Sequence, residues 1–448
     1  MKWIRIDRPF KIPNDVKKAL HQLSESGYVA YIVGGSVRDF LLGVDPKDHD
    51  IVTNATPDQL CELFPNALEV GKEFGVIKVP TQTEILEIAT FRKDLEYEDS
   101  RHPVGVVFAG PLEDALRRDF TVNGLFYDPK TQRILDVVDG IADLDKKIIR
   151  SIGDATKRFD EDALRLLRAI RFSTTLDFFL EGRTAQAIEK KAKKIKKVSS
   201  ERVKEELSHM LMGPRPSVAL KQLSNLKLIK EIIPELENLK NMSYHEDINP
   251  QLHPWMQTLK VLENLNKEKR SFSETLCWAA LLNNVGKPIA YEKNTHKNFN
   301  DFEREGAVLV KKICQKLKFS KSQTETISIL VLEQLKFDEV FRMREATLVR
   351  WICQPHFEEL LEIHRATALV THGNLASYDF CLTRLKELQE TSDRNFYKIL
   401  NGNDLIQLGL KPGPRFSRIL KTVEDLAIEK KIKTKEEALE FILNNFVD

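Results

Sequence analysis

The hydrophobic period of this chain changes once, and that change limits the fold more than any other feature. Up to about Asp143, short β-rich runs at 28–33, 48–52, 76–79, 84–90, 124–127 and 134–138 alternate with helical stretches at 36–42 and 54–64. Beyond Asp143, β-branched alternation almost disappears and helical periods run to the end. The pattern predicts a compact α+β unit over 28–145 with a small mixed sheet, followed by an all-helical remainder. Residues 1–27 read as an N-terminal extension closing in a helix that stops at Gly27. Pro and Gly gather at 213–216, 250–254 and 412–414, where modules would join. The polar stretch from Arg92 to Gly110 is long for a connection, and such loops tend to carry function.

Composition excludes several classes. At 448 residues the chain has room for about three domains. No apolar run approaches the roughly 20 residues needed to cross a bilayer, so no membrane role is expected. The start lacks a signal-peptide core. Five scattered cysteines, with no CxxC pair, point to free thiols in a reducing cytoplasm. Net charge is +2, from 69 basic and 67 acidic residues, which argues neither for nor against a nucleic-acid partner. The distribution says more. Lys190, Lys191, Lys193, Lys194, Lys196 and Lys197 lie within eight residues, as either a solvated helix face or a phosphate-backbone contact.

Two motifs carry chemistry. Gly34-Gly35-Ser36-Val37-Arg38-Asp39 follows a strand and opens a helix. It is either a plain tight turn or a place where phosphate can approach the backbone, with Arg38 in reach. On the next strand, Asp48 and Asp50 stand two residues apart and point to one face, with His49 on the other as a structural residue. Paired carboxylates repel, and a hard divalent cation such as Mg²⁺ relieves that repulsion with help from substrate phosphates. The combination suggests two-metal nucleotidyl transfer. On a helix, Glu161 and Arg165 are i,i+4 neighbours and Asp162 lies three before Arg165, the spacing of a face salt bridge.

YIVGGSVRDFLLG at 31–43 and KDHDIVTNATP at 47–57 resemble the class II tRNA nucleotidyltransferase and bacterial poly(A) polymerase superfamily. Arg92-Lys93-Asp94 with Arg101-His102-Pro103 resembles its flexible loop, and Arg117 to Asn123 and Asp139-Gly140 its next motifs. Glu161 to Phe172 and Ser200-Glu201-Arg202 complete the order. The resemblance implies a nucleotidyltransferase head over 28–145, an elongated helical neck over 146–215, a body over 216–380 and a tail over 381–448. It implies that Asp48 and Asp50 are catalytic and bind two Mg²⁺ ions. Gly34, Gly35, Ser36, Arg38, Arg118, Asp119, Asn123 and Arg168 would hold ribose and triphosphate, Asp119 being alternatively structural. Asp162 and Arg165 would read the base, with Glu161 orienting Arg165. A carboxylate accepts from the amino group of cytosine or adenine while Arg donates to the ring, which rejects guanine and uracil. Arg92, Asp94 and Arg101 would belong to the flexible loop, and the lysine run would contact an RNA acceptor stem.

Residues 251–380 resemble a degenerate metal-dependent phosphohydrolase (HD) domain. Gln257, Asn283, Asn284, Phe302, Gln334 and Thr367 stand where its ligands are expected. Neutral amides and a phenyl ring do not build a charged metal cage, so no metal and no hydrolase activity are expected there. Gly402 to Leu405, Leu408-Gly409 and Lys411 to Pro414 match the C-terminal module of the family. The run from Glu69 to Val79, with Phe74-Gly75, resembles the type that adds CCA to tRNA from CTP and ATP with release of pyrophosphate. Poly(A) polymerase and A-only addition share these motifs, and Leu95 stands where the family often has Gly in the loop. An RNA-binding protein with an inactive head would show erosion at Asp48, Asp50 or Arg165, all of which are present. No obligatory protein partner is indicated.

Overall fold

The computed structural model describes residues 2–6, 10–46, 48–82, 84–94, 105–242, 253–267, 272–295, 298–390 and 397–446. The chain divides into two compact units, 1–237 and 238–448. That division falls 22 residues beyond the neck–body boundary expected at 215.

The first unit opens with β1 (Lys2–Arg5), α1 (Asn14–Glu25), β2 (Ala30–Val33), α2 (Gly35–Leu41), β3 (Asp50–Thr53) and α3 (Pro57–Leu63). There follow β4 (Val76–Pro80), β5 (Ile85–Thr90), β6 (Arg92–Asp94), β7 (Val106–Phe108), α4 (Pro111–Leu116), β8 (Leu125–Asp128), β9 (Arg133–Asp136) and α5 (Gly140–Asp145). Among the described residues seven strands form one mixed sheet in the order β1-β9-β8-β2-β3-β5-β4, with β3 and β5 parallel. Ile51 and Val52 are neighbours on β3, point to opposite faces and are both buried, so the sheet is covered on both sides. One of those cores is built from Val33, Val52, Phe91, Ala115, Phe126 and Leu135. Thr56 caps α3 in a capping box with Gln59, as its Thr-Pro entry signals. Residues 1–27, expected as an N-terminal extension, supply an edge strand of the sheet: β1 pairs antiparallel with β9, from Lys2 opposite Asp136 to Arg5 opposite Arg133.

Beyond the sheet come β10 (Ile148–Ile149), α6 (Ala155–Glu161), α7 (Arg165–Leu176), β11 (Phe179–Leu180), α8 (Gly182–Lys191), α9 (Ser200–Leu211), α10 (Pro216–Asn225), α11 (Leu228–Ile232) and α12 (Pro234–Lys240). Strand structure thus outlasts Asp143, since β10 and β11 pair in parallel. Glu161, Asp162 and Arg165 do not share one helix as expected. Asp162 leaves the helix at φ −138°, ψ 104° and separates α6 from α7. The lysine run is not one helix either, because its second half is a 3₁₀ turn at Ala192–Lys197.

The second unit is helical among its described residues. It holds α13 (Pro254–Lys267), α14 (Glu274–Leu282), α15 (Lys287–Lys293), α16 (Phe302–Lys316), α17 (Lys321–Leu332), α18 (Glu345–Ile352), α19 (Phe357–Thr371) and α20 (Ala376–Glu390), then α21 (Gly402–Gln407), α22 (Pro414–Ile428) and α23 (Lys435–Phe446). Gly286 is required by close packing: a Cβ there would lie 2.1 Å from the Phe302 carbonyl oxygen and 2.4 Å from the Gly306 nitrogen. No described helix is long and apolar enough to cross a membrane.

Candidate active site

Strand register sets the catalytic end. Val33, the last residue of β2, stands opposite Asp50, the first residue of β3. The chain leaves β2 at that rung through Gly34, at φ +77°, so the turn and the carboxylate are neighbours. Asp48 lies two residues before β3 rather than on it, but the alternation persists. Asp48 and Asp50 are exposed, while His49 between them is buried with Phe10 against its edge. Burial lowers the His49 pKa against the pull of the Glu84 and Asp48 charges.

Asp48, Asp50, Gly34, Gly35, Arg38 and Asp39 open into one cleft of about 550 Å³. Arg117, Arg118, Asp119, Asn123, Asp162, Leu164, Arg165, Arg168, Phe172 and Arg202 complete its lining. Six arginines against five aspartates suit a polyanionic ligand that arrives with cations. The charges are not mixed evenly. The recess of Asp50 in the cleft, then the Asp48 and Glu87 charges, push its carboxyl up to about 6 against the pull of Arg118. A carboxyl whose ionisation is opposed by a neighbouring carboxylate, facing an open cleft, fits a hard divalent cation. Among the described residues no group of three or more His, Cys, Asp and Glu is placed to hold a metal. A pair of carboxylates completed by substrate phosphates is a donor set of the kind that suits Mg²⁺.

The wall beside it is an interlocked array. Asp119 is buried and accepts from Arg168 through Nε at 2.9 Å and Nη2 at 2.7 Å, from Asn123 Nδ2 at 3.0 Å and from the Phe120 N–H at 2.8 Å. Burial disfavours its charge, but Arg168 and Asn123 outweigh that and hold the carboxyl at about 2. Asn123 Oδ1 in turn accepts from Arg38 Nη1 at 2.7 Å, and Arg38 also pairs with Asp39 at 2.7 Å. The Phe172 ring is faced by the guanidinium carbons of Arg38, Arg168 and Arg171 at 5.2, 5.2 and 4.3 Å. Asp114, fully buried, clamps Arg117 and Arg118 at 2.7 and 2.9 Å. The Nη1 atom of Arg118 sits 3.4 Å from where a Cβ on Gly34 would lie, an ordinary contact, so it is the φ of +77° that favours glycine there.

At the far end, Asp162 and Arg165 both line the cleft and Glu161 does not. Arg165 donates through Nη1 to Glu161 Oε2 at 2.9 Å and the Arg158 carbonyl at 3.0 Å, and through Nη2 to the Arg117 carbonyl at 3.1 Å. Three of its five N–H groups are thus fixed, and the other two have no hydrogen bond among the described residues. Asp162 does not pair with Arg165. Its Oδ1 accepts from the Leu164 N–H at 3.0 Å and its Oδ2 from Arg202 at 3.3 Å.

Other expected site residues are placed differently. Ser36 is buried and donates to the Val33 carbonyl at 3.2 Å, so it supports the turn. Arg92 and Asp94 bound β6, which pairs with β7, while Leu95 and Arg101 lie outside the described residues. Of the lysine run, Lys191 and Lys194 hold Asp160 at 2.8 and 2.5 Å, and Lys196 holds Glu231 at 2.7 Å. Lys190, Lys193 and Lys197 are exposed and have no ion pair among the described residues. Asp39, Arg117, Leu164, Phe172 and Arg202 line the cleft without having been singled out as site residues. Asp114 carried a readable signal, standing three and four residues before the two arginines it holds.

The positions matched to the phosphohydrolase ligands form neutral pairs within the second unit. Asn283 Nδ2 donates to Thr367 at 3.3 Å, Asn284 Nδ2 to Thr258 at 3.2 Å, and Gln334 Nε2 to the Asn283 carbonyl at 3.0 Å. Gln257 Oε1 accepts from Lys287 Nζ at 3.0 Å, and that ammonium lies 5.1 Å from the Phe302 ring centroid.

A family model described as "Poly A polymerase head domain" matches residues 30–150. One described as "Probable RNA and SrmB- binding site of polymerase A" matches 177–240, and a tRNA nucleotidyltransferase domain 2 matches 306–442. A protein of Pediococcus pentosaceus named CCA-adding enzyme is 31% identical over 95% of this chain and 96% of its own. One of the same name from Lactococcus lactis subsp. cremoris strain SK11 is 32% identical over 96% of each chain. The crystal structure of Bacillus stearothermophilus CCA-adding enzyme in complex with CTP superimposes with a TM-score of 0.68 at 24% identity, covering 97% of this chain and 98% of that one. The Thermotoga maritima CCA-adding enzyme complexed with tRNA gives 0.58 at 19% identity, over 97% and 96%. These two likenesses show a shared fold.

Proposed function

The chain belongs to the family of CCA-adding tRNA nucleotidyltransferases, its relatives matching at 31–32% identity over nearly their full length, and on that premise we propose that it adds C, C and A to the tRNA 3′ end. CTP and ATP are the substrates and pyrophosphate is the leaving group. The observation that carries this reading is the single cleft lined both by the Asp48–Asp50 pair and by Asp162 and Arg165.

Asp48 and Asp50 would hold the two Mg²⁺ ions on which such transfer depends. When bound, Mg²⁺ supplies the positive charge that activates the attacking hydroxyl and anchors the triphosphate. The remaining work falls to the chain itself. Arg118, clamped by Asp114, and Arg38, held by Asn123, face the phosphates and stabilise charge on the departing pyrophosphate. Arg168, locked to Asp119, fixes the wall against which ribose rests. Asp162 accepts from the exocyclic amino group of cytosine or adenine, and the two remaining N–H groups of Arg165 donate to ring acceptors. Uracil and guanine present a carbonyl to that carboxylate and are refused. Lys190, Lys193 and Lys197 meet RNA phosphates. The second unit contributes no metal chemistry. Five free cysteines fit a reducing cytoplasm.

Primer extension tests the reading. The protein and Mg²⁺ are given tRNAs ending before CCA, after C and after CC, with CTP, ATP or both. Completion on all three, followed by a stop, is expected, and Asp48→Ala should abolish it while leaving the fold intact. Addition to the CC-ended tRNA alone would make this an A-adding enzyme, with Leu95→Gly the next variant. A long A ladder would make it a poly(A) polymerase.

A further inference from the structure

We infer that Arg158, which does not line the cleft, is a positioning residue that sets nucleotide selectivity through Arg165. The inference rests on Asp162 and Arg165 reading the base. Arg158 and Arg165 share two acceptors. The Glu161 Oε2 atom accepts from Nη1 of both, and the Arg117 carbonyl accepts from Nη2 of both. Arg158 Nη2 also reaches the Arg118 carbonyl at 2.7 Å. One guanidinium, mostly buried behind the wall, therefore ties the peptide carrying the phosphate-facing Arg118 to the arginine at the base end.

The sharing has a directional consequence. Each acceptor offers limited lone-pair capacity, and Arg158 takes part of it. With Arg158 in place, Arg165 keeps two N–H groups free. Without it, Glu161 loses a cation, and both Glu161 and the Arg117 carbonyl regain capacity that Arg165, already bonded to both, can fill. Arg165 would then turn toward them and away from the base. A guanidinium satisfies this geometry because its fork spans a carboxylate and a carbonyl together, and a lysine point charge reaches one acceptor at a time. The side chain behind the wall thus decides how much of Arg165 the base sees.

The test uses the full chain and a tRNA lacking CCA or ending in CC. Single-nucleotide kcat and KM are measured for CTP, ATP, UTP and GTP in wild type, Arg158→Lys, Arg158→Met, Glu161→Gln and the Arg158→Met/Glu161→Gln pair. Arg158→Met should lower the ratio of correct to incorrect kcat/KM at least tenfold, chiefly through KM for CTP and ATP. Arg158→Lys should fall between it and wild type, and the double variant should be no worse than the poorer single one. An equal loss for all four nucleotides, with selectivity kept, would overturn the inference and leave Arg158 a purely structural residue. If melting curves show that Arg158→Met does not fold, Arg158→Lys decides by the same criterion. A wild type that fails to separate CTP and ATP from UTP and GTP would instead defeat the base-reading assignment itself.

Discussion

The cleft of the first unit and the amide cluster of the second are both built from polar side chains, arranged to opposite ends. In the cleft, charge is left facing open space: Asp50 is raised to about 6 by its recess and by neighbouring carboxylates, and Arg165 keeps N–H groups in hand. In the cluster, Asn284, Gln334 and Gln257 each meet a nearby hydroxyl, carbonyl or amine, and Asn283 meets Thr367 through Nδ2 while its Oδ1 is buried without a partner among the described residues. Polar groups that satisfy one another stabilise packing, and polar groups held apart from partners await a ligand. The contrast sets charge that faces an open cleft against amides that are mostly paired within their own unit, and each side of it can be challenged.

The largest effect should come from Asp119→Asn. The buried carboxylate anchors Arg168 and Asn123, and the amide would turn a donor toward Arg168. Removing one partner of such a pair costs about 3 kcal/mol, a fall of several degrees in melting temperature. Extension should fall by about 100-fold, because the wall that holds substrate is displaced. There is a pH signature as well. The folded carboxyl is held at about 2, below its ordinary 3.8, so its stabilisation is present above pH 4 and lost as pH falls toward 2. The acid limb of the stability curve should therefore be flatter in the variant. Wild-type rate and melting would show that the cleft's charges are not interlocked.

A smaller effect tests the other side. Lys287 is the one charged member described in the amide cluster, and burial lowers its pKa to about 8. The folded state therefore binds fewer protons than the unfolded chain between about pH 8 and 10.5, and the contribution of Lys287 rises with pH across that window. Cys277, Cys314 and Cys381, pushed up to about 11, 12 and 12 by burial, act in the opposite sense above pH 9. The readout is thus the stability of wild type minus that of Lys287→Met. It should climb by up to about 1.4 kcal/mol per pH unit from pH 8. A flat difference would mean that the amine is solvated and the cluster looser than its hydrogen bonds indicate.

The legible part of this molecule was the part set by local chemistry. The β2–Gly34-Gly35–α2 passage and the capped start of α3 are short-range structures, and their residues announce them. So is the alternation that exposes Asp48 and Asp50 and hides His49. What was not legible depends on distant partners. Strand β1 exists because β9, some 130 residues later, supplies its ladder. The break at Asp162 interrupts a run whose period is helical throughout; the Leu164 N–H and Arg202 hold the turned-out carboxylate. The six lysines looked alike because only the fold brings Asp160 and Glu231 to three of them. Identity as amides could be read at Asn283 and Gln334, whereas the pairing that retires them could not.

That division of the lysines makes the last and smallest prediction. If exposure marks the RNA-facing members, Lys190, Lys193 and Lys197 act through phosphate and Lys191 and Lys194 through Asp160. Replacing the first three by Ala should weaken tRNA binding and reduce the salt slope of log K by roughly one per lysine that meets a phosphate, with melting unchanged. Replacing Lys191 and Lys194 should lower stability by about 0.5–1 kcal/mol and leave the salt slope close to wild type. The two triads of charge occupy the same short segment, so composition, net charge and position along the chain cannot separate them; only their partners differ. A reversed outcome would mean that RNA displaces Asp160 from its lysines on binding, and that these intramolecular pairs are themselves groups held in reserve for a ligand.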